Sequence, residues 1–153
     1  GLLYYDAGDL EKAKASFEKS LQLDPDHNFT HCSLGQALLL LGKPQEALAE
    51  NEKETADECK VYTKALVYQN MGRENDSEDI LQQAIAKYGK DMAYEIATVY
   101  AVRNDKDRAF EWLNKAYDGE DPGLVLMKID PTLKNLHGDP RFTAFLKKMK
   151  LAN

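Results

Sequence analysis

The sequence predicts an all-α fold, an α-α superhelix of antiparallel helix pairs closed by a helical C-terminal cap. Three observations predict it. Small and apolar residues recur at spacings of three and four, as at Ala13, Phe17, Ser20 and Leu21, which gathers them on one stripe of a helix. Gly8, Gly42 and Gly72, with Asn104 in the same role, divide the chain into helical pairs at near-constant intervals. Aspartate-proline pairs at Asp24-Pro25, Asp130-Pro131 and Asp139-Pro140, and Asp121-Pro122-Gly123, mark helix ends and starts.

The stretch YYDAGDLEKAKASFEKSLQLDP, residues 4–25, reads as a whole hairpin unit. Its second helix runs from about Leu10 to Leu23, with Asp9 placed to cap it and Asp24-Pro25-Asp26 ending it. Small Ala13 lets neighbouring helices approach. The second unit has Phe29 to Leu41, then Gly42, then a helix opened by Pro44, where the missing N–H costs nothing. Gly42 follows Gly8 by 34 residues. Asn51 and Glu54 stand where Phe17 and Ser20 stood one unit earlier, so looser packing is expected at the end of that helix.

The third unit places Val61, Ala65 and Tyr68 inward on its first helix and Ile80, Leu81, Ala84 and Ile85 on its second. Gly72 follows Gly42 by 30 residues, so about one helical turn is lost, and the shortening is expected near 56–60. In the fourth unit Ala93, Ile96, Ala97 and Tyr100 precede the turn Arg103-Asn104-Asp105, and Ala109, Leu113 and Ala116 follow it. Asn tolerates the left-handed conformation that such a turn needs. Beyond Asp121, Phe142, Phe145, Leu146 and Met149 form an apolar stripe, with Lys147, Lys148 and Lys150 at the helix end. Such a stripe is expected to cover the last unit, because the open end of a helical stack exposes apolar surface. The expected organisation is about four units over 1–121 (1–25, 28–57, 58–89 and 90–121), with capping helices over 122–153.

Gly8, Ala13, Phe17, Pro25, the 34-residue interval and the Leu34-Gly35 pair fit the signature W-x2-L-G-x2-Y…A-x3-F…P. The sequence therefore resembles tetratricopeptide (TPR) repeat proteins. The tail pattern around Pro131, Leu133, Leu136, Asp139, Pro140, Arg141 and Phe142 is similar to the C-terminal end of bacterial TPR regions. In that group such regions often follow cyclase, kinase or transcriptional-regulator domains. The resemblance implies a cytoplasmic, non-catalytic protein-interaction module, with the first helices of the repeats lining a concave groove. By the repeat register the groove residues are Tyr5, Phe29, Cys32, Gln36, Tyr62, Leu66, Gln69, Tyr94 and Thr98. Aromatic rings beside amides suit a peptide or a partner helix. In the competing reading, some of these rings pack within the solenoid or under the tail, and the chain is a regulatory or self-associating segment of a larger signalling protein. The chain opens on Gly1, inside the first helix of a repeat, which suggests a fragment.

The resemblance also argues one family function down. TPR proteins that hold acidic C-terminal tails use a clamp of Lys, Asn and Arg on three first helices. The matching positions carry Leu2, Ser33, Cys59 and Thr63, or, one repeat later, Cys32, Gln36, Thr63, Asp91 and Glu95. Neither set supplies the cations that charge-assisted bonds to a carboxylate need.

Composition narrows the partners further. With 43% hydrophobic and 30% charged residues the 153-residue chain belongs with folded domains, and its net charge of −6 disfavours a nucleic-acid surface. Its longest apolar run is too short to span a membrane. Of His27, His31, Cys32, Cys59 and His137, only His27 and His31 have the i, i+4 spacing of a helical zinc pair, and His27 precedes its helix, so a zinc site is not expected. Cys32 and Cys59 are expected on neighbouring first helices, with reduced thiols the simpler reading. The carboxylates Glu50, Glu52, Glu54, Asp57 and Glu58 read as a solvated face. No catalytic motif and no cofactor-binding loop occurs in the sequence.

Overall fold

The computed structural model describes residues 9–151. Leu2, Tyr5 and Gly8 lie outside them. Among the described residues every regular element is a helix: α1 (Leu10–Leu23), α2 (Thr30–Leu40), α3 (Pro44–Glu52), α4 (Asp57–Asn70), α5 (Glu74–Tyr88), α6 (Ala93–Val102), α7 (Lys106–Asp118) and α8 (Pro140–Lys148), with two 3-10 helices, Pro122–Leu126 and Pro131–Leu136, between α7 and α8. This is the all-α, TPR-like α-α fold that the sequence predicts. No described helix is long and apolar enough to cross a membrane. The chain forms two compact units, one ending at Ala84 and one starting at Ile85.

In the first unit α2 packs against α1, α3 and α4. Ala13, Phe17, Leu34, Ala37, Leu38, Ala47 and Val67 form its core. Ala13 and Ala47 occupy equivalent places on α1 and α3 and are both fully buried, as a close helix approach requires. The turns share one chemistry. Gly42 and Gly72 have φ of 75° and 73°, and nothing lies within 4 Å of a Cβ built at either, so backbone conformation alone demands glycine. At the first turn Lys43 N–H donates to Leu38 O at 2.9 Å and Gly42 N–H to Leu39 O at 3.0 Å. Arg73 and Gly72 repeat these bonds to Tyr68 and Gln69, and Asp105 and Asn104 to Tyr100 and Ala101. Asn104 adopts φ 60°, so it does take the place of the turn glycine.

Three expectations need revision here. Asp9 occupies the cap position of α1, but its side chain accepts no capping bond and pairs with Lys12 at 2.7 Å. The lost turn lies earlier than expected: α3 has 9 residues where α1 has 14, and the linker 53–56 is shorter than 24–29, while α4 has 14 residues where α2 has 11. Asn51 and Glu54 do not loosen the packing. They are 0% and 4% exposed and hold a buried hydrogen-bond network described below.

In the second unit every residue of α6 up to Ala101 except Glu95 is buried. This helix packs on α7 and on both 3-10 helices; Met127, just past the first, and Leu133 and Leu136 of the second are fully buried. Each turn start is capped by its aspartate: Asp121 accepts from Gly123 N–H at 2.8 Å, Asp130 from Thr132 at 2.8 Å and Asp139 from Arg141 at 3.0 Å. Asn135 donates to Ala101 O at 3.0 Å, tying the second 3-10 helix to the end of α6. The stripe of α8 buries Phe142 and Phe145, the latter edge-on to Tyr117 with centroids 6.0 Å apart. Arg141 reaches Asp107 at 2.7 Å and lies over Phe110, which fixes α8 against α7.

Candidate functional site

The groove residues expected from sequence divide between the two units, and the structure treats them differently. Tyr5 lies outside the described residues. In the first unit Phe29 is 47% exposed, at the cap position of α2 with φ 64°. A bulky residue held in the left-handed region and pointing partly to solvent is uncommon. Gln36 is half-buried and donates from Nε2 to Thr63 Oγ1 at 3.0 Å, joining α2 to α4. Tyr62 and Gln69 are half-buried on α4, and Gln69 Oε1 is a buried acceptor with no partner among the described residues. Cys32 and Leu66 are buried beneath this surface, at 0% and 3% exposure.

In the second unit the two expected groove residues are enclosed. Thr98 is fully buried and donates to Glu95 O at 2.7 Å. Tyr94 is 3% exposed: its hydroxyl donates to Asp130 at 2.8 Å and its N–H to Asp121 at 3.1 Å. Its ring sits so close to Gly123 that a Cβ there would lie 2.6 Å from Cδ1. The tail thus covers Tyr94. Cys32, Leu66, Tyr94 and Thr98 are therefore packing residues in this structure, closed to direct contact with a partner.

Sequence reasoning missed the polar interior of the first unit. Glu54 accepts from Cys32 N–H at 3.1 Å and from Thr55 and Ala56 N–H at 2.9 Å each. Burial alone would push its carboxyl up, but the N–H groups of Ala56, Cys32, Thr55 and Phe29 outweigh it and hold it below the usual carboxylate range. Asn51 donates to Lys60 O at 3.0 Å and accepts from the Cys32 thiol at 3.7 Å. The only signal in the sequence was negative, polar residues at positions that the repeat pattern fills with apolar ones. Of the supposed solvated face, Glu54 is therefore the exception. Glu50 is partly covered too, and accepts from Lys53 at 2.6 Å and His31 at 3.0 Å.

Glu95 is the corresponding oddity of the second unit. Burial pushes its carboxyl up to about 7, opposed by its own backbone N–H and reinforced by Asp121 and Asp130. His27 and His31 are engaged locally: His27 Nδ1 lies 2.9 Å from Thr30 Oγ1, and His31 Nε2 lies 3.1 Å from Pro25 O. Among the described residues no group of three or more His, Cys, Asp or Glu side chains is placed to hold a metal ion. A shallow polar recess beside the α6–α7 turn is lined by Arg103, Asn104, Lys106 and Arg141, with Asp105 and Asp107 between them. Its Arg141 is already paired with Asp107 and Asp139. Exposed apolar side chains that the sequence did not single out include Leu23, Val125, Leu126 and Ile129.

A family model described as TPR repeat matches residues 1–42, and one described as Tetratricopeptide repeat matches residues 62–124. Two stretches of the chain thus match models of the tetratricopeptide repeat. No curated protein and no solved structure matches it. TPR repeats generally mediate protein-protein interaction and are typically non-catalytic. Between the two matched stretches lie α3, the linker 53–56 and the start of α4, the region where Asn51 and Glu54 replace the usual pattern.

Proposed function

We propose that this TPR chain is a non-catalytic interaction module that receives a peptide or partner helix on the α2–α4 face of its first unit. The observation that supports the reading is exposed Phe29 at the cap of α2 together with half-buried Gln36, Tyr62 and Gln69 on the packed helices α2 and α4. Aromatic rings would supply contact area and the amides directional bonds. The unpartnered Gln69 Oε1 is an acceptor that a donor on a bound chain could satisfy. Neither clamp register offers cations, so the partner is not a terminal carboxylate held by charge. We place the module in the cytoplasm, as part of a bacterial regulatory protein.

The test is capture from lysate of the source organism by the wild-type chain and by the Phe29→Ala/Tyr62→Ala double variant, with bound proteins identified by mass spectrometry. A protein held by wild type should be lost by a variant whose circular dichroism is unchanged. Equal capture by both would sink the reading. The covering of Tyr94 by Asp130 and Gly123 favours a second reading, a regulatory segment whose surface is filled by its own chain. Deletion of 122–153 that gains a partner at Tyr94, in a chain still folded, would support it.

A further inference from the structure

Cys32 and Cys59 lie on the packed helices α2 and α4. One turn further on, Gln36 and Thr63 meet at 3.0 Å, and Gly35 lets α2 come so near that a Cβ there would stand 3.5 Å from Thr63 Cγ2. Stepping back four residues on each helix brings the two cysteines to one level. Asn51 spans the same gap from the side, bonding the Cys32 thiol at 3.7 Å and the carbonyl of Lys60, the neighbour of Cys59, at 3.0 Å. We propose that Cys32 and Cys59 form a reversible dithiol-disulfide site, oxidised by a low-molecular-weight disulfide, that covalently joins α2 to α4.

The two thiols have unequal surroundings, which gives the exchange an order. Cys59 is half-buried and Cys32 is fully buried, so a small disulfide reaches Cys59 first. The Cys59 thiolate attacks one sulfur of the disulfide, forming a mixed disulfide and releasing one small thiol. The Cys32 thiol holds its proton tightly, through the neighbouring Cys59, through burial and through the charge of Glu54. In the mixed disulfide Cys59 cannot ionise, which removes its share of that hold. Cys32 then loses its proton and its thiolate attacks Cys59 Sγ, expelling the second small thiol. The two protein sulfurs are oxidised and the two sulfurs of the small disulfide are reduced, and each released thiolate takes a proton. The product ties together the helices that carry Phe29, Gln36, Tyr62 and Gln69, although the inference does not rest on what that face binds.

The test incubates the folded full chain with oxidised glutathione, blocks residual thiols, digests with trypsin and maps the peptides by mass spectrometry. Cleavage after Lys19, Lys53 and Lys60 separates the cysteines into peptides 20–53 and 54–60. The expected result is a linked pair two hydrogens lighter than its parts, absent from Cys59→Ser and dissolved by reductant. Cys32→Ser should instead accumulate glutathione on Cys59. Two results would overturn the inference: stable glutathione adducts on wild-type Cys59 without linkage, or linkage that appears only in denaturant. Wild-type thiols that both stay free, while Cys59 of Cys32→Ser reacts, would also overturn it.

Discussion

Glu54→Gln removes one charge from the interior of the first unit and leaves the side-chain shape almost unchanged. The wild-type carboxylate receives the N–H groups of Cys32, Thr55 and Ala56 at 3.1, 2.9 and 2.9 Å. Both of its oxygens are used, Oε2 toward α2 and Oε1 toward the start of α4. An amide has one acceptor oxygen, so its NH2 must face backbone donors at one of the two helix starts. Bonds to a charged acceptor contribute about 1.5–3 kcal/mol net, and a buried donor left unsatisfied costs about 1–3 kcal/mol. The substitution should therefore destabilise by roughly 2–4 kcal/mol, which for a chain of this size lowers Tm by about 5–15 °C. Thermal unfolding followed by circular dichroism measures the total, and amide exchange at Cys32, Thr55 and Ala56 localises it. The dependence on pH identifies the charge. Because the folded carboxyl titrates below its ordinary 4.5, its contribution is complete above that value and is lost as pH falls through the folded pKa. Wild type and variant should thus converge in acid. A Glu54→Gln melt within about 1 °C of wild type at pH 7, with unaltered exchange at those amides, would refute the reasoning.

The second unit should answer to pH in the opposite sense. Glu95 titrates at about 7 in the fold against 4.5 unfolded, so folding binds a proton between these values and stability falls as pH rises through that window. Glu95→Gln should remove the loss, leaving the variant more stable than wild type by about 1–3 kcal/mol at pH 8 and similar to it at pH 4, as denaturant titrations at the two values would reveal. A variant equal to or weaker than wild type at pH 8 would count against it. Tyr94→Phe deletes the 2.8 Å bond to Asp130 and should speed amide exchange over 122–136, at a cost of about 1–2 kcal/mol, without loss of helix. Unchanged protection there would mean that ring packing alone holds the tail.

What could be read from the sequence was set by local physics. Gly42, Gly72 and Asn104 announce left-handed turn positions because few other residues tolerate them, and Pro44 and the tail's Asp-Pro pairs announce helix starts by their fixed φ and capping oxygens. The small residues Ala13, Ala97 and Ala109 report close packing for the same reason, since a larger side chain would not fit. The candidate site was less legible, because repeat register gives the face of a helix but not what later chain lies across it. Tyr62 and Tyr94 stand at the same place in that register, yet one is half-buried and the other lies under the tail. Glu54 was misread as solvated since its partners are backbone N–H groups, which leave no mark on residue identity.

Those backbone partners suggest a common logic for the first helices of the repeats. α2, α4 and α6 begin at Phe29, Ala56 and Met92, none of which provides a side-chain cap. Their first N–H groups would be orphaned on burial. For α2 and α6 the acceptors come from downstream, Glu54 serving Cys32 and Asp121 serving Tyr94, whereas Ala56 at the start of α4 donates to Glu54 only two residues before it. A cap supplied from 22 or 27 residues away exists only after the following helix has docked, so local helix formation and repeat packing become one event. By contrast α7 and α8, whose aspartates Asp105 and Asp139 cap them in place, can begin without that help. Glu54 and Asp121 therefore do more than satisfy donors: they make the starts of α2 and α6 conditional on the docking of the helix that follows, which couples the two members of each hairpin.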